Sequence, residues 1–237
     1  MHPFVSVIIP VYGEARLIKC TLTHLLRHNT RCLFEVIVVD GDPRGTTLEA
    51  ISFPRVKKIL SPPGRGIQMN AGAAAAKGSI LLFLHADTLL ETEALESIVR
   101  ALSRKNTAAG AFQLAIRSNR KAFRIIEFGV RLRTRLTHIP YGDQAIFASK
   151  TAFEGIGGFP NLPLMEDVAF MRRIRKKGGG IVILDANAFT SPRRWEKEGI
   201  LYCTLRNWLL RMLYTCGVPA AVLVRFYRPH SASAGMP

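Results

Sequence analysis

Gly78-Ser79-Ile80-Leu81-Leu82-Phe83-Leu84-His85-Ala86-Asp87-Thr88 is an apolar run of strand length that ends on one carboxylate followed by a hydroxyl. A parallel strand buried on both faces reads as such a run, and open α/β sheets take their ligands in the crevice beyond the carboxyl ends of the strands. Asp87 therefore stands where phosphates and their cations gather. Upstream, Val5-Ser6-Val7-Ile8-Ile9-Pro10-Val11 is a second β-branched run. After it, Leu17, Ile18, Leu22, Leu25 and Leu26 recur at helical spacing and predict a helix over about 14–28. Phe34-Glu35-Val36-Ile37-Val38-Val39 closes on Asp40-Gly41-Asp42-Pro43. Strand, helix and strand in that order predict a right-handed parallel crossover.

The alternation continues with a short strand over 57–60, an alanine-rich helix over 68–77 and a helix whose Leu95, Ile98, Val99 and Leu102 share one face. In the second half the expectations are a strand over 110–116, a basic amphipathic helix over 118–136, a strand over 145–148, a helix over 165–177 and a last short strand over 181–184 ending at Asp185. The 165–177 helix opens on two acids and closes on bases, the polarity that a helix dipole favours. We read one α/β domain over 1–237: a first half over 1–103, a second over 104–199, C-terminal helices over 200–228 and a tail over 229–237.

With 237 residues and 48% hydrophobic content, the chain can bury a substantial core. Its formal charge of +16 predicts affinity for polyanions, whether nucleic acid, nucleotide phosphates or an anionic membrane surface. No standard nucleic-acid-binding motif accompanies the charge, which argues against that class. Cys20, Cys32, Cys203 and Cys216 have neither metal-site spacing nor the density of a disulfide-stapled domain, so reduced, mostly buried thiols are expected. The run over 4–12 is too short to span a bilayer and meets Glu14, which reads as the first strand of a cytoplasmic protein.

Three strands thus deliver Tyr12-Gly13-Glu14, Asp40 and Asp87 to one rim. Taken singly, each acid could be a helix cap or a turn former. Both common phosphate-loop glycine fingerprints are missing, because Gly64-Arg65-Gly66 lacks a third glycine and no Gly-Lys-Ser/Thr follows a loop. A P-loop ATPase or a dinucleotide-dependent dehydrogenase is therefore disfavoured.

These motifs resemble those of the family 2 inverting glycosyltransferases with the GT-A fold, a mainly parallel sheet flanked by helices. The resemblance rests on Ser6-Val7-Ile8-Ile9-Pro10-Val11-Tyr12-Gly13-Glu14, Val38-Val39-Asp40-Gly41, Arg65-Gly66-Ile67-Gln68-Met69-Asn70-Ala71-Gly72 and Phe83-Leu84-His85-Ala86-Asp87-Thr88, in that order. Gly142-Asp143-Gln144-Ala145-Ile146-Phe147, Gly157-Gly158-Phe159-Pro160 and Leu164-Met165-Glu166-Asp167 resemble the acceptor-side motifs. Arg193-Arg194-Trp195 is similar to a bacterial subgroup linked with arsenosugar biosynthesis.

The resemblance implies a UDP- or GDP-linked sugar donor in the first half, held by Pro10, Tyr12 at the base, Glu14 near the ribose, Asp40 at the base edge, Arg65 at the diphosphate and Asn70 in the same cleft. It implies Mn2+ or Mg2+ on Asp87, although His85-Ala86-Asp87 lacks the paired aspartates usual in the metal motif. Asp167 is the expected general base with Glu166 as its alternative; both could also merely open their helix. Asp143, Gln144, Arg194 and Trp195 are expected on the acceptor side. The acceptor is a sugar, a lipid-linked molecule or a small molecule.

Rival readings are a nucleotidyltransferase, disfavoured because the loop after the first strand is acidic rather than lysine-bearing, and a nucleotide-sugar-binding module without turnover. The segment over 200–227 is apolar but interrupted by Arg206, Arg211 and Pro219. With the basic 118–136 helix it suits peripheral attachment to the inner, anionic face of a membrane, or a homodimer interface.

Overall fold

A computed structural model describes residues 4–27 and 30–227. The chain alternates β1 (Phe4–Val11), α1 (Ala15–Leu26), β2 (Leu33–Asp40), α2 (Thr46–Glu49), β3 (Val56–Leu60), α3 (Arg65–Ala75), β4 (Ile80–Phe83), β5 (Leu89–Leu90) and α4 (Ala94–Leu102). The second half adds β6 (Thr107–Ile116), α5 (Lys121–Thr137), a 3-10 turn over Gly142–Gln144, β7 (Phe147–Ser149), α6 (Lys150–Gly155), α7 (Glu166–Lys176) and β8 (Gly180–Thr190). It closes with α8 (Arg193–Glu198), α9 (Ile200–Thr215), α10 (Ala220–Leu223) and a 3-10 turn over Val224–Phe226. The far end of the predicted 14–28 helix and the 229–237 tail lie outside the described residues.

All eight strands form one mixed sheet in the order β3-β2-β1-β4-β7-β6-β8-β5. Strands β1 to β4 are parallel, whereas β7 runs antiparallel to both β4 and β6. Because β2, β1 and β4 are parallel neighbours, their carboxyl ends bring Asp40, Val11 and Phe83 to the same rim. The period of two along a strand sends Val5, Val7, Ile9 and Val11 into one core with α1 and α4, and Ile8 into the other with α3 and α7. Side chains such as Leu82 and Ile37 are fully buried, each worth about 2–3 kcal/mol. Helix α3 lies close enough to β1 that a Cβ on Gly72 would stand 2.4 Å from Ile8 Cγ2.

Three expectations are corrected. Helix α3 starts at Arg65 rather than at 68. Strand β8 continues to Thr190, so Asp185 lies within it, exposed and accepting a hydrogen bond from Gln113 Nε2 at 3.1 Å. The extension is held by parallel pairing with β6, which persists beyond an irregularity at Ala111/Gln113. Of the four free cysteines only Cys203 is buried; Cys20 and Cys216 are exposed because each lies on the outer face or end of its helix. Among the described residues no helix is long and apolar enough to cross a membrane.

Candidate active site

The β1 end presents Tyr12, 46% exposed, to the rim. Next to it the Glu14 N–H donates to Thr47 Oγ1 at 3.0 Å, and the Thr47 N–H donates to Asp40 Oδ2 at 3.1 Å. Asp40 Oδ1 accepts from the Asp42 N–H at 2.9 Å. Asp40 is thus fully buried with both carboxylate oxygens engaged by backbone, and its visible work is to shape the loop that carries Thr47 and Glu14. Asp42 pairs with Arg44 at 3.2 Å, and the hydrogen bonds from Arg44 hold its carboxyl below the usual range. Gln68, quoted in the Arg65-to-Gly72 stretch without an expected site role, ties the rim from below: its Nε2 donates to Val11 O at 2.7 Å and Val39 O at 2.8 Å.

Asp87 lies within a turn closed by the Thr88 N–H donating to His85 O. Its carboxylate and that of Glu14 share one cation, Arg193 Nη2, at 4.0 Å and 3.8 Å. Burial, reinforced by the Asp87 charge, pushes the Glu14 carboxyl up to about 7. Burial also raises Asp87, against the pull of Arg193 and Arg117. Arg193 was not among the expected site residues, although it sits in the quoted Arg193-Arg194-Trp195 stretch; its approach depends on where α8 folds back.

Across the cleft, Met165 adopts a left-handed conformation with φ 65° and turns the chain into α7. Such a backbone costs about 1 kcal/mol or more and clusters at functional sites. The consequence is that Glu166 and Asp167 open a helix whose N-terminal dipole favours their charge. The two acids then diverge. Glu166 is 2% exposed and pairs with Arg65 Nη1 at 3.4 Å; burial raises its carboxyl while Arg65 opposes the shift. Asp167 is less buried, accepting from the Gly142 N–H and from the Val168 N–H, each at 2.7 Å. Glu166 in turn holds the Arg65 guanidinium firmly protonated.

His85, Asp167 and Arg65 surround Gly142: a Cβ there would stand 3.1 Å from His85 Nε2, 3.2 Å from Asp167 Oδ2 and 3.6 Å from Arg65 Nη1. Desolvation, with Arg65 and Arg194 nearby, pushes His85 down to about 3, so its imidazole is neutral at physiological pH. Pro10 lines a small recess with Arg65, His85 and Asp167.

A cleft of about 190 Å³ is lined by Arg65, His85, Asp87, Asp143, Glu166, Asp167, Arg194 and Trp195 together, with further walls from α5 and α9. Asp143 Oδ1, Trp195 Nε1 and Thr204 Oγ1 of this lining are buried without a hydrogen-bond partner. Unpaired buried groups cost about 1–3 kcal/mol each, which a polar ligand would relieve. Trp195 packs edge-on against Phe123, and Arg194 lies over the Tyr227 ring at 4.1 Å with a hydrogen bond to its hydroxyl.

Besides Asp40, the expected site residues Gln144 and Asn70 take structural work. Gln144 is 1% exposed: its Oε1 accepts from Arg133 Nη2 at 2.9 Å, and its Nε2 donates to Phe112 O at 3.0 Å. It braces the loop from behind instead of lining the cleft. Asn70 brackets Phe159, accepting from its N–H at 2.9 Å and donating to its carbonyl at 2.8 Å, which joins the two halves of the domain.

Among the described residues no three His, Cys, Asp or Glu side chains are grouped to hold a metal ion. Glu14 and Asp87 nevertheless supply hard oxygen donors around one cationic position, which fits a divalent ion completed by phosphate oxygens.

Residues 6–159 match the sequence profile of Glycosyl transferase family 2. A curated relative, glycosyltransferase AglE of Haloferax volcanii, is 32% identical over 109 residues, 43% of this chain and 36% of that protein. Among solved structures, mannosyltransferase PcManGT from Pyrobaculum calidifontis, in complex with GDP-Man and Mn2+, superposes with a TM-score of 0.65 at 20% identity. That match covers 90% of this chain and 61% of the other. S. aureus TarS in complex with UDP-GlcNAc superposes with a TM-score of 0.61 at 18% identity over 79% of this chain and 58% of TarS. The chain therefore spans about a third of the curated relative and three fifths of these structural neighbours, which share its GT-A fold. On the profile match across its first two thirds, the chain belongs to glycosyl transferase family 2.

Proposed function

We propose that this protein moves a sugar from a UDP- or GDP-linked donor to an acceptor hydroxyl, with inversion at the anomeric carbon and with Mn2+ or Mg2+ at the diphosphate. The observation that carries this reading is the single cleft on which Asp87, Arg65 and Asp167 all open. The donor side is the strand rim. Exposed Tyr12 flanks the base, Arg65 faces the diphosphate, and Asp87 beside Glu14 holds the cation. When bound, the cation neutralises charge building on the leaving nucleoside diphosphate.

Asp167 takes the proton from the acceptor hydroxyl as that oxygen forms its bond to the anomeric carbon and the bond to the diphosphate oxygen breaks on the opposite face. One displacement inverts the centre. Glu166 is ion-paired with Arg65, whereas each oxygen of Asp167 accepts one backbone N–H and keeps a further lone pair for the acceptor proton. The unpaired Asp143 Oδ1, Trp195 Nε1 and Thr204 Oγ1 supply both acceptor and donor functions, as a polyhydroxylated acceptor requires. Arg193-Arg194-Trp195 supports the arsenosugar-linked subgroup as the first acceptor chemistry to try, and a cytoplasmic location follows from nucleotide-sugar use.

A thermal-shift panel of UDP- and GDP-sugars with and without Mn2+, followed by sugar-transfer and donor-hydrolysis assays, tests the reading. Metal-dependent stabilisation by one donor and turnover are expected. Stabilisation without turnover would leave a binding module, and transfer of a nucleotidyl group would establish the rival enzyme.

A further inference from the structure

Helices α5 and α9 carry apolar side chains outward. On α5, Ile125, Phe128, Leu132 and Leu136 are 49–74% exposed and recur at three- and four-residue spacing, so they form one stripe. On α9, Leu201, Leu205, Trp208, Leu209 and Met212 are 50–73% exposed and form another. Both helices wall the same cleft, α5 through Ile126 and Val130, α9 through Asn207, Trp208 and Arg211. Arg133 of α5 and Arg211 of α9 each stack on the Tyr141 ring, at 3.4 Å and 4.0 Å, which ties the two walls together. Exposed apolar stripes on two helices of one cleft mark an interaction site.

Charge selects the occupant. The sole acid of α5, Glu127, is buried and accepts from the Ile116 N–H at 2.6 Å, while Lys121, Arg124, Arg131 and Arg135 are exposed. Helix α9 has no acid. A second copy docked through this face would set the α5 cations against one another, and most of the two stripes is aliphatic Ile125, Leu132, Leu136, Leu201, Leu205 and Leu209, which offer a nucleic acid neither charge nor a stacking ring. Aliphatic and aromatic groups flanked by bases on a helix too short to span are suited to the headgroup boundary of an anionic bilayer.

We propose that α5 and α9 dock this protein on an anionic bilayer, so that the cleft they wall opens beside the membrane and receives an acceptor carried on a lipid. The acceptor half of this proposal rests on the transferase reading given above; the docking half does not.

Flotation with phosphatidylglycerol-containing vesicles against pure phosphatidylcholine vesicles tests the docking. Wild type should float at least tenfold more with the anionic vesicles, and rising salt should release it. Phe128→Glu with Leu132→Glu, and Leu205→Glu with Leu209→Glu, should each cut flotation about tenfold while keeping the far-ultraviolet circular dichroism of wild type. Arg131→Glu with Arg135→Glu, both exposed, repeats the test without touching an apolar group. No flotation, flotation indifferent to these changes, or a wild-type dimer that the same variants dissociate would overturn docking. For the acceptor, labelled donor sugar should enter the organic-extractable fraction of native-lipid vesicles; label confined to water-soluble products would overturn that half. A donor-induced thermal shift without flotation defeats the docking alone, and flotation without any donor response defeats the transferase reading alone.

Discussion

The Gly142 N–H donates a 2.7 Å hydrogen bond to Asp167 Oδ2, tying the loop before β7 to the first turn of α7 at the carboxylate proposed as base. Such a bond orients the acid and leaves its remaining lone pairs for the acceptor proton.

Asp167→Asn preserves size and one acceptor oxygen but removes the basic charge. Transfer should fall by about 10²- to 10⁴-fold while the donor-induced thermal shift stays within error of wild type. Single-turnover assays with saturating donor measure this. Glu166→Gln should behave differently: losing the partner of Arg65 weakens donor binding first, and a fall confined to kcat would transfer the base role to Glu166.

The Glu14 carboxyl gives a pH dependence of definite sign. Its folded value of about 7 lies above the ordinary 4.5, so the folded state holds the proton more tightly than the unfolded chain. The stability this contributes is complete below about 4.5 and is lost as pH rises through about 7. Glu14→Gln should therefore lose less stability than wild type between pH 5 and pH 8, with a difference of up to about 3 kcal/mol. Denaturant midpoints at the two pH values read it directly. Divalent-ion affinity should rise over the same window, since binding needs the carboxylate and releases its proton.

The first-half alternation and the three strand ends were legible because β1, β2 and β4 are predominantly apolar or β-branched runs followed by a polar or acidic turn. Asp87 and Glu14 stand out in the sequence as charges just beyond apolar runs, and Asp167 as the second of two acids that open a helix. The first half of strand β8 was legible over 181–184, but its continuation was not, because Asp185-Ala186-Asn187 looks like a stop and only lateral pairing with β6 carries the strand through it. Arg193 and Gln68 stand inside quoted stretches, yet their roles were missed because their partners lie far away in sequence and a motif does not display them. Gln144 and Asn70 stand in the expected motifs, yet their amides are spent on backbone groups that a motif does not display.

Asp40 separates loop shaping from ligand contact. Each of its oxygens accepts from a backbone N–H at a fully buried position. Asp40→Asn turns one oxygen into a donor that faces another donor, at a cost of about 1–3 kcal/mol. The variant should unfold at a correspondingly lower denaturant concentration without any donor present. Unchanged stability with weakened nucleotide binding would instead assign the carboxylate to the base edge.

Arg193 holds the position between Glu14 and Asp87 that a divalent ion would share with the diphosphate. A guanidinium and a divalent ion placed against the same pair of carboxylates repel each other, so Arg193 competes with the metal until phosphate draws it aside. Arg193→Ala should bind Mn2+ more tightly than wild type when no nucleotide is present, by about tenfold for the loss of one unit of opposing charge at this range. Its binding of Mn2+ with nucleotide should gain less, because the diphosphate then loses a partner. Asp87→Ala should remove the Mn2+ response in both states. Titration followed by the electron paramagnetic resonance of free Mn2+ measures all three, independently of turnover. Equal Mn2+ affinity in wild type and Arg193→Ala, with a weaker nucleotide complex, would make Arg193 a phosphate ligand rather than a resident counter-ion.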